Sequence, residues 1–191
     1  MNMVAKQPVG QPSGDAEIVK LLPALRAFAR TFHRDRDEAD DLVQETLSKG
    51  LSNMHQFRPG TSMKSWLFTI MRNTFYTQIK RSQREAPGAA DCISAKPSTN
   101  PTQEWSARGK EIAAALERLP QEQREIVMLV GVLGQSYEEA SEICGCAMGT
   151  VKSRLNRARL RLLQELREDS VSGALTSSEL HPVNSPSALR G

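Results

Sequence analysis

Between Gln83 and Gln103 the chain reads REAPGAADCISAKPSTNPT, and this stretch constrains the fold more than any other. Its three prolines, its small residues and its lack of apolar period exclude a helix interior or a central strand. The segment 83–103 therefore reads as a flexible linker. A chain of 191 residues cut there leaves two parts, each with room for only a modest core. Expected on either side are an ordered half over 16–82 and a second over 104–168. The Pro-, Gly- and Gln-rich N-terminus, 1–15, and the Ser- and Pro-rich tail, 169–191, are expected to be disordered.

Both halves carry helical period and almost no strand signal. Alternation is absent, β-branched residues are scattered, and Ala, Leu, Glu, Gln and Arg predominate. The fold class is therefore all-α, two small helical domains joined by the linker. In the first half the apolar spacing predicts helices near Ile18–His33, Asp37–Leu51 and Met63–Arg81. In the second it predicts Glu104–Arg118, Gln121–Val132, Tyr137–Cys144 and Gly149–Arg167.

Charge is informative by place rather than by total. Twenty-five Lys and Arg against twenty-two Asp and Glu leave a net charge of only +3. Yet Met71 to Arg84 holds four basic residues and no acidic one, and Met148 to Arg167 holds six against a single Glu. Two separate basic surfaces follow. Three cysteines, Cys92, Cys144 and Cys146, are an odd count without framework spacing, which fits a reducing, cytoplasmic setting. No apolar run reaches the length of a membrane span, so no membrane association is expected.

Catalysis finds little support. The sequence has no phosphate-cradling glycine loop, no paired-His zinc motif and no nucleophile elbow, and His33, His55 and His181 are dispersed. Cys144-Gly145-Cys146 resembles half a metal site, but without a second pair it reads as small residues in a turn. Neither metal, cofactor nor small-molecule substrate is expected.

Three helix faces remain as candidates. In MGTVKSRLNRARLRLL, Val151, Leu155, Ala158 and Leu162 share one arc, and Lys152, Ser153, Asn156 and Arg157 lie opposite. Upstream, QSYEEASEICGCAMGT offers Ser136 as an N-cap, a two-turn helix with Ala140 and Ile143 inward, and a turn at Gly145. That is a helix-turn-helix, whose second helix fits the major groove of DNA. Leu160 falls on the donor face and is expected to pack on something else.

The second face is in MKSWLFTIMRNTFYTQIKR. Leu67, Phe68, Met71, Phe75 and Ile79 share an inward arc, leaving Thr69, Arg72, Asn73, Tyr76 and Lys80 outward. An aromatic ring among amides and cations suits unpaired bases, although an ordinary amphipathic helix has the same pattern. The third is in DEADDLVQETLSKGL. There Leu42, Val43, Thr46 and Leu47 point inward, while Asp41, Gln44, Glu45 and Ser48 form a polar strip suited either to solvent or to a protein partner.

Taken together, these stretches resemble bacterial sigma factors of the extracytoplasmic-function group. DDLVQETLSKGL, FRPGTSMKSWLFTIMRN and the basic end at Lys80 and Arg81 look like sigma region two. ALERLPQEQREIVML and SYEEASEICGCAMGTVKSRLNRARLRLL look like region four. The resemblance implies that Asp41, Gln44 and Glu45 dock on the clamp helices of the polymerase beta-prime subunit. It implies that the turn from Phe57 to Met63 lines a pocket for a base flipped from the −10 element, with Phe57, Arg58, Trp66, Arg72, Asn73, Tyr76 and Lys80 as contacts. It places Lys152, Ser153, Arg154, Asn156 and Arg157 at the −35 element, and region four on the beta flap of RNA polymerase core.

Two positions depart from the common pattern: Thr77 stands where many members carry Asp, and Ala147 where a Ser cap is common. Both, with NTFY and AMGTVKSR, are similar to the general stress response subgroup of alphaproteobacteria. That subgroup is held by a small anti-sigma protein, which a response regulator with a sigma-like domain releases. Three other readings of the residues stay open at this point. They are a stand-alone helix-turn-helix regulator of duplex operators, a recombinase whose nucleophilic Ser would sit on an N-terminal sheet, and an interaction protein with acidic partners.

Overall fold

The computed structural model describes residues 14–85 and 107–178, and among these there is helix but no strand. Seven α-helices follow in order: α1 (Gly14–Ala29), α2 (Arg36–Ser52), α3 (Met63–Glu85), α4 (Ala107–Glu117), α5 (Gln121–Ile126), α6 (Tyr137–Cys144) and α7 (Met148–Ser178). A 3₁₀ turn, Met54–Gln56, follows α2, and α5 runs on into a π-helical segment, Val127–Val132.

Local chemistry sets most of these boundaries. Asp35 caps α2, its carboxylate accepting from the N–H groups of Asp37 at 2.8 Å and Glu38 at 3.1 Å. Acids in the first turn and Lys49 in the last complement the helix dipole. Pro23 inside α1 costs a helix about 3 kcal/mol. Burial of Leu25 and Phe28 on the same helix offsets this, at about 1.5–3 kcal/mol for each large side chain. Gly50 lets α2 close on α3, because a Cβ there would lie 2.8 Å from Leu67 Cδ2.

The first half is held by a chain of rings. Phe28 lies 4.9 Å from Phe32 and 4.8 Å from Phe68, and Phe32 lies 4.6 Å from Phe75, which ties α1 to α3. In the second half Ile126, Leu129, Ala140, Ile143, Val151 and Leu155 fill the space between α5, α6 and α7. The two halves are not separate bodies. Helix α3 packs on α6, and the two sets of apolar residues make one continuous core.

Three extents differ from the sequence reading. Helix α1 already begins at Gly14, and α3 continues to Glu85, into the expected linker. Helix α7 continues to Ser178, nine residues beyond Asp169, where a disordered tail was expected. Extending an existing helix costs far less than nucleating one, so SVSGAL follows a long helix it would never start. Residues 1–13, 86–106 and 179–191, with the rest of the expected linker and tails, lie outside the described residues. Among the described residues no helix is long and apolar enough to cross a membrane.

Candidate nucleic-acid interface

The helix-turn-helix is built from its caps. Ser136 Oγ accepts from the Glu139 N–H at 3.0 Å, and the Glu139 carboxylate accepts from the Ser136 N–H at 2.8 Å, a reciprocal capping box. The other end of α6 stops at Gly145, whose φ of 60° is left-handed and favours glycine. The Cys146 N–H then donates to the Ser141 carbonyl, and Ser141 Oγ donates back to the Cys146 carbonyl at 2.6 Å. With no Ser at position 147, the start of α7 is held by backbone bonds alone, Thr150 and Val151 donating to the Ala147 carbonyl.

On α7, Val151, Leu155 and Ala158 are buried. Lys152, Asn156 and Arg157 are exposed and Ser153 is half-buried. Arg157 folds back so that Nη2 donates to Ser153 Oγ at 3.2 Å, which places its fork on the outer face. Arg154 is the exception among the expected −35 contacts. It is half-buried and turned onto α5, its Nη2 2.5 Å from the Glu122 carboxylate. Leu160, on the same side as the donors, is 60% exposed.

Cys144 is buried in the same turn, and burial, reinforced by the Glu125 charge, pushes its thiol up to about 12. It is a packing residue without thiolate character at neutral pH. Cys146 is half-buried, and Cys92 lies outside the described residues.

On α3, Leu67, Phe68, Met71 and Phe75 are buried, and Asn73 and Lys80 are exposed. Phe57 and Trp66 pack together, ring centroids 5.4 Å apart, while Arg58 is exposed. Beside them an open cavity of about 290 Å³ is lined by Lys49, Asn53, Gln56, Trp66, Ile70, Asn73, Thr74 and Thr77. The turn from Phe57 to Met63 contributes no residue to the lining of this cavity. Phe57 packs on the lining residue Trp66, and the end of α2 with the 3₁₀ turn supplies Lys49, Asn53 and Gln56. Lys49, Asn53 and Gln56 are therefore lining residues that sequence reasoning missed. Nothing in the period of α2 marks its last turn as facing a cavity rather than water.

Arg72 and Tyr76 were expected to face outward, and relative to α3 they do. The second half covers them. Arg72 Nε donates to Glu125 Oε2 at 2.8 Å and Tyr76 OH to Glu125 Oε1 at 2.6 Å, with Glu125 only 1% exposed. The Arg72 guanidinium also lies over the Tyr76 ring, 4.6 Å from its centroid. Burial works against the Arg72 charge, but the hydrogen bond and charge of Glu125 outweigh it and raise its pKa; burial and the same carboxylate raise that of Tyr76. Other bonds join the halves. Ser65 Oγ lies 2.8 Å from Gln135 Oε1 and 2.9 Å from Glu139 Oε1, Lys64 Nζ donates to the Leu133 carbonyl, and Gln121 and Arg124 donate to the Thr31 carbonyl.

Glu125 was missed by sequence reasoning, although a signal was present. It sits next to Ile126 on the inward side of QREIVML, where a buried carboxylate requires a cationic partner. The acidic strip on α2 is as expected in outline. Asp41 and Gln44 are exposed, and Glu45 is half-buried and engaged by Lys49 at 2.7 Å and by Gln78 at 2.6 Å. Among the described residues no group of three or more His, Cys, Asp or Glu is placed to hold a metal ion.

Comparison with known proteins bears on the whole arrangement. Residues 18–85 match the family described as Sigma-70 region 2, and residues 109–162 that described as Sigma-70, region 4. The chain is 47% identical over 146 residues to the ECF RNA polymerase sigma factor EcfG of Rhodopseudomonas palustris, covering 76% of this chain and 81% of that one. To the ECF RNA polymerase sigma factor SigC of Mycobacterium tuberculosis it is 34% identical over 164 residues, covering 78% and 87%. Among solved structures it is similar to the sigma factor RpoE of Bartonella quintana, crystallised with the anti-sigma factor NepR. That likeness has a TM-score of 0.73 and 42% identity, and covers 81% of this chain and 96% of that one.

Proposed function

We propose, from the premise that this chain belongs to the extracytoplasmic-function sigma factors of RNA polymerase, a division of promoter reading between its two helical halves. As a sigma factor it directs core polymerase to promoters. In the proposal α7 enters the −35 major groove with Lys152, Ser153, Asn156 and Arg157, and Arg154 joins them once it leaves Glu122. Helix α3 holds the opened −10 strand through Arg72, Asn73, Tyr76 and Lys80, and the cavity of about 290 Å³ beside Trp66 takes a flipped base, with Phe57 packed on Trp66 and the exposed Arg58 next to it in the turn as further contacts. The exposed Asp41 and Gln44, with Glu45, dock on the beta-prime clamp helices, and the second half meets the beta flap.

The observation that carries this reading is the exposed donor row at the start of α7, directly behind a fully capped α6. A basic C-terminal helix that merely solvates itself needs neither the cap pair nor the left-handed glycine ahead of it. Each half alone binds DNA weakly, and polymerase makes the second contact intramolecular, which raises its effective concentration. The chain then contributes recognition rather than a catalytic step of its own.

The family relationships with EcfG and with the NepR-bound RpoE support a place in the general stress response subgroup, under a small anti-sigma protein, in the cytoplasm. The stand-alone regulator is disfavoured because it leaves α3 and the acidic strip of α2 without a role. Run-off transcription with purified core polymerase, followed by start-site sequencing, tests the proposal; core that gains no promoter choice from the chain contradicts it.

One substitution separates the two readouts. Asn73 is exposed and lines the cavity, so Asn73→Ala is expected to lower open-complex formation, read by permanganate reactivity, about tenfold. Binding to closed duplex promoter should change by less than about twofold, since phosphate and −35 contacts dominate there. Equal losses in both assays would contradict the placement of Asn73.

A further inference from the structure

We propose that Arg72 and Tyr76 form an oxyanion seat for a backbone phosphate of the opened DNA strand, and that the Glu125 carboxylate occupies this seat in the free chain. The inference rests on the reading of α3 as the −10 face and adds what competes for it. Two donors meet two carboxylate oxygens, one each, at 2.8 and 2.6 Å. Two non-bridging oxygens of a phosphodiester accept in the same pattern, and both acceptors are anionic. The seat is preorganised, because the guanidinium rests on the Tyr76 ring at 4.6 Å. It also has an approach for a strand. A cleft of about 350 Å³ lined by Arg72, Asn73, Tyr76, Thr77, Lys80 and Glu122 opens beside it, with Asn73 and Lys80 among its exposed residues.

The same short helix does this twice. Glu122 and Glu125 are three residues apart on α5; Glu125 takes two donors of the α3 face, and Glu122 takes Arg154 of the α7 face at 2.5 Å. Helix α5 therefore stands where nucleic acid would on the α3 face, and on α7 it engages one donor, Arg154, beside a row that is otherwise exposed. A buried carboxylate that loses its cation is costly to keep from water, and so is a cation that loses its carboxylate. When DNA takes the two donors, Glu125 must be released to solvent, and the halves must part. DNA binding and separation of the two halves are then one equilibrium, with the seat open only in the separated form.

The test uses the full chain without polymerase and a fluorescein-labelled oligothymidylate, which offers phosphates without promoter sequence. Glu125→Gln should bind it about tenfold more tightly than the wild type by anisotropy, and small-angle scattering should show a larger radius of gyration. Glu125→Met, which keeps the side-chain length without the charge, should do the same, so a folding failure of one variant leaves the other. Adding Arg72→Ala should remove the gain in binding while the larger radius remains. Wild-type affinity in a folded variant, or a gain that survives Arg72→Ala, overturns the proposal. Should core polymerase gain promoter choice from the wild-type chain while both variants bind oligothymidylate as the wild type does, the seat falls and the sigma reading stands.

Discussion

Phe68→Ala is expected to lower the stability of the first half by about 3–5 kcal/mol, the range for removing a fully buried aromatic ring. Phe68 is wholly buried on α3, beside the equally buried Leu67 and Met71. Its ring lies 4.8 Å from that of Phe28 and so joins α1 to α3. Truncation leaves a cavity that a close-packed interior refills only in part. Domains of this size are stable by only about 5–15 kcal/mol, so a large share is lost and the unfolded fraction becomes measurable. Chemical denaturation followed by circular dichroism checks this, and a drop under about 1 kcal/mol would show that the ring is not in the core. Phe57→Ala makes the control. Phe57 is half-buried and packs mainly on Trp66, so its loss should reshape the cavity wall more than it lowers stability.

The difference between these two phenylalanines was partly legible in the sequence. Phe68 shares an arc with Leu67, Met71 and Phe75, whereas Phe57 stands in a turn with no period to place it. The same distinction runs through the fold. Tyr137–Cys144 is bounded as the sequence indicates because its signals are local: a Ser cap, a Glu three residues later and a glycine after the last turn. Its neighbour Gln121–Val132 has the expected ends but not the expected interior, since its second part is π-helical, with the Leu133 N–H reaching back to the Met128 carbonyl. Apolar spacing does not distinguish a π turn from an α turn over six residues.

The candidate site shows the same boundary between local and non-local information. The outward donors of α7 follow from one helix wheel, and the structure leaves Lys152, Asn156 and Arg157 exposed. Arg72 and Tyr76 are outward on their own wheel too, yet Glu125, 53 and 49 residues away, covers them. A helix period tells which side of a helix faces its own module. It carries nothing about a second module across a linker, so burial of that face had to come from the structure.

The exposed pair on α7 gives the largest expected change in function. Asn156→Ala with Arg157→Ala is expected to reduce transcription from a promoter with an intact −35 element about tenfold to a hundredfold. Each base-reading side chain contributes about 1–3 kcal/mol. The two are adjacent in the chain, and Arg157 Nη2 is also bonded to Ser153 Oγ on the same face, so their effects should add to less than the sum. Neither side chain supports the core, to which the described part of this helix gives the buried Val151, Leu155 and Ala158, so the variant should unfold at the wild-type denaturant concentration. A base-reading loss also has a signature that a phosphate loss lacks. Substituting the −35 element should cost the wild type much more than the double variant, because the variant no longer discriminates it. Arg167→Ala, exposed far along α7, serves as the comparison; losing a phosphate contact would lower all promoters alike and flatten the salt dependence. If the double variant still prefers the intact −35 element by the wild-type ratio, α7 does not read bases through these side chains, and the exposed donor row must serve some other partner.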